Sequence, residues 1–154
     1  NMNIKLICVG KIKEKYLTDG IEEYRKRLKA FCDFEIIELK EVNTDDINKN
    51  IESEGDLILS NIKKTDHVIA LSIPGKNISS ESLAQMIKEH YTYNSSVITF
   101  IIGGSNGLDK RVLDRSNYQL SFGKMTYPHQ LMRMILLEQV YRCMMINNNH
   151  KYHK

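Results

Sequence analysis

The sequence predicts an α/β domain built on a mainly parallel sheet with helices on both faces. Three observations predict it. Apolar residues switch repeatedly between the period of two that marks strands and the period of 3.6 that marks helices. Strand-like and helix-like runs alternate five times along the chain. No repeat, linker or low-complexity tract interrupts them, and such alternation is what parallel βα units produce. At 154 residues the chain suits one core, burying roughly two thirds of its unfolded surface. We therefore expect a single domain over 1–154, with 147–154 as a basic C-terminal tail.

Ile4 to Val9 reads as a buried strand, followed by a helix whose Leu17, Ile21, Tyr24 and Leu28 recur at helical steps. Phe34 to Leu39 is a second strand. A polar stretch from Glu41 to Asp46 leads to a helix through Ile47, Ile51, Ile58 and Ile62, interrupted at Gly55. His67 to Ile73 is the third strand, and Ser79 or Ser80 caps a helix carrying Leu83, Ile87 and His90. Val97 to Ile102 is the fourth strand. A short helix from Leu108 to Arg115 leads into a fifth strand, Tyr118 to Phe122, and the longest helix runs from His129 to Ile146. Pro128 suits its start, where a missing N–H costs nothing. Met132, Ile135, Leu136, Gln139, Cys143 and Ile146 form its apolar stripe, read as core or dimer surface.

Composition narrows the function. Hydrophobic residues make up 42% and charged residues 27%, an ordinary globular balance. No apolar run approaches the ~20 residues of a membrane span, and the opening Asn-Met-Asn-Ile-Lys reads as a strand rather than a signal peptide, so we expect a cytoplasmic protein. Asn1 before Met2 reads as a cloning remnant. Cys8, Cys32 and Cys143 are odd in number and widely spaced, as buried small hydrophobes are. They offer no zinc spacing; His150-x-x-His153 is the one metal-like pair, and we expect no metal. Residues 1–102 carry 14 Lys and Arg against 16 Asp and Glu, whereas 103–154 carry 8 against 3. Cationic charge gathered in the last third fits an anionic partner such as RNA.

Ligands of parallel sheets bind beyond the carboxyl ends of the strands, which directs attention to Pro74–Ser80, Gly103–Leu108 and Gly123–Pro128. Gly103-Gly-Ser105-Asn-Gly107 matches a hydrolase nucleophile elbow, with Asp109, Asp114, His129 and His153 following in triad order. Only 47 residues remain after Gly107 to place an acid and a base, and no phosphate-binding glycine motif is present. Backbone groups of the Ser121–His129 loop could grip an adenine edge, while His129 and Arg133 lie one turn apart and Glu138 and Arg142 have ion-pair spacing. A serine hydrolase and a noncatalytic RNA-binding or ribosome-assembly factor are the rival classes.

Six segments together resemble one family. They are Ile101-Ile-Gly-Gly-Ser-Asn-Gly-Leu108, Leu120-Ser-Phe-Gly-Lys-Met-Thr-Tyr-Pro-His-Gln130, Leu137-Glu-Gln-Val-Tyr-Arg142, the final Tyr152-His-Lys154, Val9-Gly-Lys-Ile-Lys-Glu-Lys-Tyr16 and Leu71-Ser-Ile-Pro-Gly-Lys76. The chain resembles, over essentially its whole length, the ribosomal large-subunit pseudouridine N3-methyltransferases of the SPOUT class. The resemblance implies a C-terminal trefoil knot, a homodimer, and S-adenosylmethionine bound bent between strand ends. It places Leu71, Gly75 and Gly103 at the cofactor, with Phe122, Gly123, Lys124, Met125, Thr126 and Tyr127 wrapping its adenine and methionine parts. It assigns His129, Arg133, Glu138, Arg142, Tyr152, His153 and Lys154 to holding 23S RNA and orienting the base, the tail coming from the partner subunit. It further implies the assembled ribosome as substrate. His153, His129 or bulk hydroxide could remove the N3 proton. Gly123 and Tyr127 stand where Ser and Phe are common in relatives, and Lys154 where Arg is frequent.

Overall fold

The computed structural model describes residues 2–154, so Asn1 lies outside the described residues. Ten elements follow in strict alternation: β1 Asn3–Val9, α1 Lys15–Leu28, β2 Asp33–Leu39, α2 Ile47–Ser60, β3 His67–Asn77, α3 Ser80–Tyr93, β4 Ile98–Ile102, α4 Lys110–Arg115, β5 Tyr118–Ser121 and α5 His129–Asn147. The strands lie in the order β2-β1-β4-β3-β5, and the four strand pairings are parallel. This is the expected α/β class.

The pleat sorts the strand residues between two cores. Ile4, Leu6 and Cys8 of β1, with Ile98, Phe100 and Ile102 of β4, pack against α1, α3 and α5. Ile7, Val9 and Ile101 turn the other way, onto Ile58 of α2 and Val112 of α4. Helices thus cover both faces. α5 lies between α1 and α3, which explains why more of its circumference is buried than one stripe would require: Met132, Leu136, Leu137, Val140, Cys143, Met144 and Met145 are all enclosed. All three cysteines are buried, and burial pushes the Cys8 and Cys32 thiols up to about 11 and that of Cys143 to about 12.

The helices begin where side chains satisfy free amides. Asp46, Ser79 and Asp109 accept from the backbone N–H groups of Lys49, Ser82 and Arg111. α2 runs unbroken through Gly55, because burial of Ile58 outweighs a propensity cost of about 1 kcal/mol. Toward the amino ends of the strands, Lys5 and Asp66 form an ion pair of 3.0 Å with side chains 9% and 1% exposed. The Thr99 hydroxyl also donates to that carboxylate.

β3 extends past the expected end at Ile73. Leu71 and Lys76 both lie opposite Leu120 of β5, so the four residues between them arch out of the ladder. Pro74, which has no N–H to give, sits in the arch. The chain rejoins the ladder at Lys76, directly after Gly75, where a Cβ would stand 2.6 Å from the Gln119 carbonyl oxygen. Only glycine allows that approach.

Candidate active site

The arch of β3 and the loops that follow β4 and β5 enclose a cleft of about 740 Å³ on the carboxyl side of the sheet. That is within the range of about 300–1,000 Å³ usual for small-molecule sites. Leu71, Ile102, Leu120, Phe122 and Met132 give it apolar walls, and Gly103, Gly123, Met125, Thr126 and Tyr127 also line it. Gly123 holds φ at +107°, a backbone state that side chains resist. This explains why the loop after β5 turns sharply enough to face the cleft. Gly75 and Lys124 are outside the lining: Gly75 faces the other side of the arch, and Lys124 is exposed.

His129 lines the cleft from the first position of α5. Its Nε2 is buried without a hydrogen-bond partner. Burial holds its pKa below the ordinary imidazole value, with the Arg133 charge acting in the same direction and Glu41 opposing. It is therefore a neutral imidazole near pH 7.

Arg133, expected among the cations that face RNA, occupies a different environment: its side chain is 1% exposed. Its Nη2 donates to the Val9 and Gly10 carbonyl oxygens at 2.7 and 2.6 Å, and its Nη1 to Glu38 at 2.8 Å. The guanidinium ties α5 to the carboxyl end of β1. Helical spacing from His129 places Arg133 on a shared face, but that face meets the sheet rather than solvent.

The C-terminal tail folds back on α5. Asn149 takes φ +58°, and the His150 and Asn149 amides donate to the Met145 and Ile146 carbonyls at 2.9 and 3.2 Å. These are the two bonds of a Schellman turn. The reversal brings Tyr152 and His153 against α5. Tyr152 donates its hydroxyl to Glu138 Oε2 at 2.8 Å, and Arg142 Nη2 donates to the same oxygen at 2.7 Å. The Arg142 guanidinium also lies 4.8 Å from the centre of the Tyr152 ring, a cation–π arrangement. Burial, then the bond to Glu138, pushes the Tyr152 pKa up to about 12, so the phenol keeps its proton. None of Glu138, Arg142, Tyr152, His153 and Lys154 lines the cleft.

The hydrolase arrangement is absent. Ser105 donates to Glu41 at 3.1 Å rather than to an imidazole, Asp109 is engaged by Arg111 and Asp114 by Lys110. Among the described residues no group of three or more His, Cys, Asp or Glu could hold a metal, and no helix is long and apolar enough to cross a membrane.

Residues 2–153 match the family described as predicted SPOUT methyltransferase. The chain belongs to that family. This SPOUT methyltransferase is 50% identical, over 99% of its length and the whole of the relative, to the ribosomal RNA large subunit methyltransferase H of Levilactobacillus brevis. It is 52% identical, with the same coverage, to the protein of that name from Latilactobacillus sakei. A solved structure of a probable methylase family protein from Haemophilus influenzae aligns with 99% of the chain and 71% of its own at a TM-score of 0.57 and 13% identity. That likeness concerns the fold alone. The SPOUT family implies the trefoil knot and, in general, the use of S-adenosylmethionine.

Sequence reasoning missed Glu38, Glu41 and Glu81. Each acts through a partner far away in the chain, Arg133, Ser105 or His153, and nothing local marks such pairings.

Proposed function

We propose that the chain is an S-adenosylmethionine-dependent methyltransferase acting on N3 of a pseudouridine in 23S ribosomal RNA, as a cytoplasmic homodimer working on the assembled ribosome. The whole chain, 1–154, acts as one domain ending in the basic tail 147–154. The observation that carries this reading is full-length identity near one half to relatives named ribosomal RNA large subunit methyltransferase H. The cleft at the strand carboxyl ends supports it.

Leu71, Gly103, Phe122, Gly123, Met125, Thr126 and Tyr127 would hold the cofactor, the apolar walls taking its adenine. A cavity of about 740 Å³ with apolar walls, lined also by Thr126, Tyr127 and His129, fits a group that combines a flat heterocycle with polar edges. When bound, the cofactor supplies a methyl group already activated on sulfonium.

The protein's task is then to align N3 and ease the loss of its proton. Alignment is worth roughly 7–11 kcal/mol when the reacting atoms are held in near-attack geometry. Arg142 and Lys154 supply positive charge for the developing imide anion, and Tyr152 offers a face on which a base can stack. These groups stand outside their own subunit's cleft, which supports completion of each site by the partner's tail. Ile73 and Met125, 52% and 77% exposed at the cleft mouth, offer apolar surface to a second copy.

The test uses ribosomes lacking the modification, incubated with protein and labelled cofactor. Label on N3 of a pseudouridine is the expected result. Label absent, or on another nucleotide, overturns the assignment.

A further inference from the structure

Glu81, in the first turn of α3, is exposed on its own element but meets the C-terminal tail: its Oε1 lies 3.2 Å from His153 Nε2. On the other side of the same ring, Arg142 Nη1 lies 3.1 Å from Nδ1. A guanidinium has hydrogens to give and no lone pair to receive one, so Nδ1 is the acceptor in that contact. A carboxylate has only lone pairs, so Nε2 carries the proton. The two contacts specify a single state of the ring: neutral, protonated on Nε2, with its remaining lone pair occupied by Arg142.

Arg142 is fixed in turn. Its Nε and Nη2 donate to Glu138 at 3.1 and 2.7 Å, which leaves Nη1 as the group directed at the tail. Glu138 Oε1 also accepts from Gln139 and its Oε2 from Tyr152. Both carboxylate oxygens are therefore occupied, and Glu138 holds other groups rather than taking a proton itself. Glu81, His153, Arg142, Glu138 and Tyr152 form one chain of donors and acceptors linking α3, α5 and the tail.

We propose that Glu81 is a positioning residue for methyl transfer: it fixes His153 as the Nε2-protonated neutral ring, and His153 then sets the direction of Arg142. The inference rests on the tail role proposed above and narrows the choice of base. With Nδ1 accepting from Arg142 and Nε2 protonated toward Glu81, His153 has no free lone pair with which to take the N3 proton. His129 or hydroxide remains for that step.

Two variants separate this role from simple loss of structure. Glu81→Gln keeps an acceptor oxygen for Nε2–H, and Glu81→Ala removes it. Nitrogen-15 NMR of the imidazoles, assigned with His153→Gln, reads the tautomer without RNA. Cofactor affinity by calorimetry and kcat on unmodified ribosomes complete the set. The expected result is a single Nε2–H form of His153 in the wild type and Glu81→Gln, and mixed tautomers in Glu81→Ala. The rate should fall about three- to tenfold in Glu81→Ala, a change on the scale of one net hydrogen bond, and return in Glu81→Gln. Cofactor affinity should stay the same in all three. An Nδ1–H ring in the wild type, or an alanine variant with unchanged tautomer and rate, overturns the proposal. A wild type that shows the fixed tautomer yet never methylates ribosomes refutes the proposed function, and with it the catalytic meaning of the clasp, while leaving its geometry standing.

Discussion

Replacing Arg133 with alanine should damage folding rather than RNA recognition. The guanidinium is enclosed, and it supplies two hydrogen bonds to the carbonyl oxygens that end β1 and one ion pair to Glu38. Buried acceptors that lose their donor cost about 1–3 kcal/mol each. The ion pair adds at most about 1 kcal/mol, since Glu38 is 39% exposed and water can take over its charge. The sum, about 2–7 kcal/mol, spans the cost of about 3–5 kcal/mol for breaking other buried charged contacts and is a large share of a typical domain's stability. Arg133→Lys, which cannot reach three acceptors at once, should lose about 1–3 kcal/mol. Urea unfolding followed by circular dichroism measures both, at equal protein concentration so that any self-association contributes equally. An alanine variant within about 1 kcal/mol of wild type that nevertheless loses ribosome binding would refute the reasoning, because it would make Arg133 an RNA contact.

Asp66→Ala should cost about 3–5 kcal/mol in the same assay, since it strands the enclosed Lys5 ammonium and removes the Thr99 acceptor. Stability should fall on mild acidification: burial holds His67 and His129 below the ordinary imidazole pKa of about 6.5. The unfolded chain then takes up protons first as pH falls through that window. His67→Gln with His129→Gln should flatten the slope of unfolding free energy between neutral pH and the lowered pKa values, and an unchanged slope would assign it to other groups. Deleting Tyr152 to Lys154 should leave cofactor affinity near wild type by calorimetry while abolishing methylation, because these residues are outside the cleft of their own subunit. Equal loss of both would contradict the separation of roles.

The order of elements was legible because periodicity is a local property: Leu17, Ile21 and Leu28 mark the buried face of α1 by spacing alone. Boundaries shifted where tertiary pairing decided them. β3 continues past Pro74 to Asn77 only because β5 offers a partner on both sides of the arch. The cleft loops were legible from their glycines and their position after strands. Most of the expected cofactor residues line one cavity, while Gly75 lets β3 come close to Gln119 of β5 and Lys124 is exposed. Glu138 and Arg142 pair as their spacing predicts, but which charged side chains are buried was not legible. His129 and Arg133 share a helical face on which one reaches the cleft and the other is sealed against β1. The tail looked like a simple charged terminus, yet Asn149 in a left-handed conformation returns it to Glu138 and Arg142.

In the function proposed above, a cleft of one subunit and the tail of its partner together make one methylating site. Mixing two inactive proteins tests it: one lacks Tyr152 to Lys154, and the other carries Gly103→Val, whose Cβ would stand 2.9 Å from Leu108 and 3.0 Å from the Gly107 carbonyl oxygen and so distorts the loop that lines the cleft. After subunit exchange, verified by native mass spectrometry, heterodimers should regain methylation of pseudouridine N3, since one subunit contributes an intact cleft and the other an intact tail. Heterodimers that form and stay inactive would contradict it.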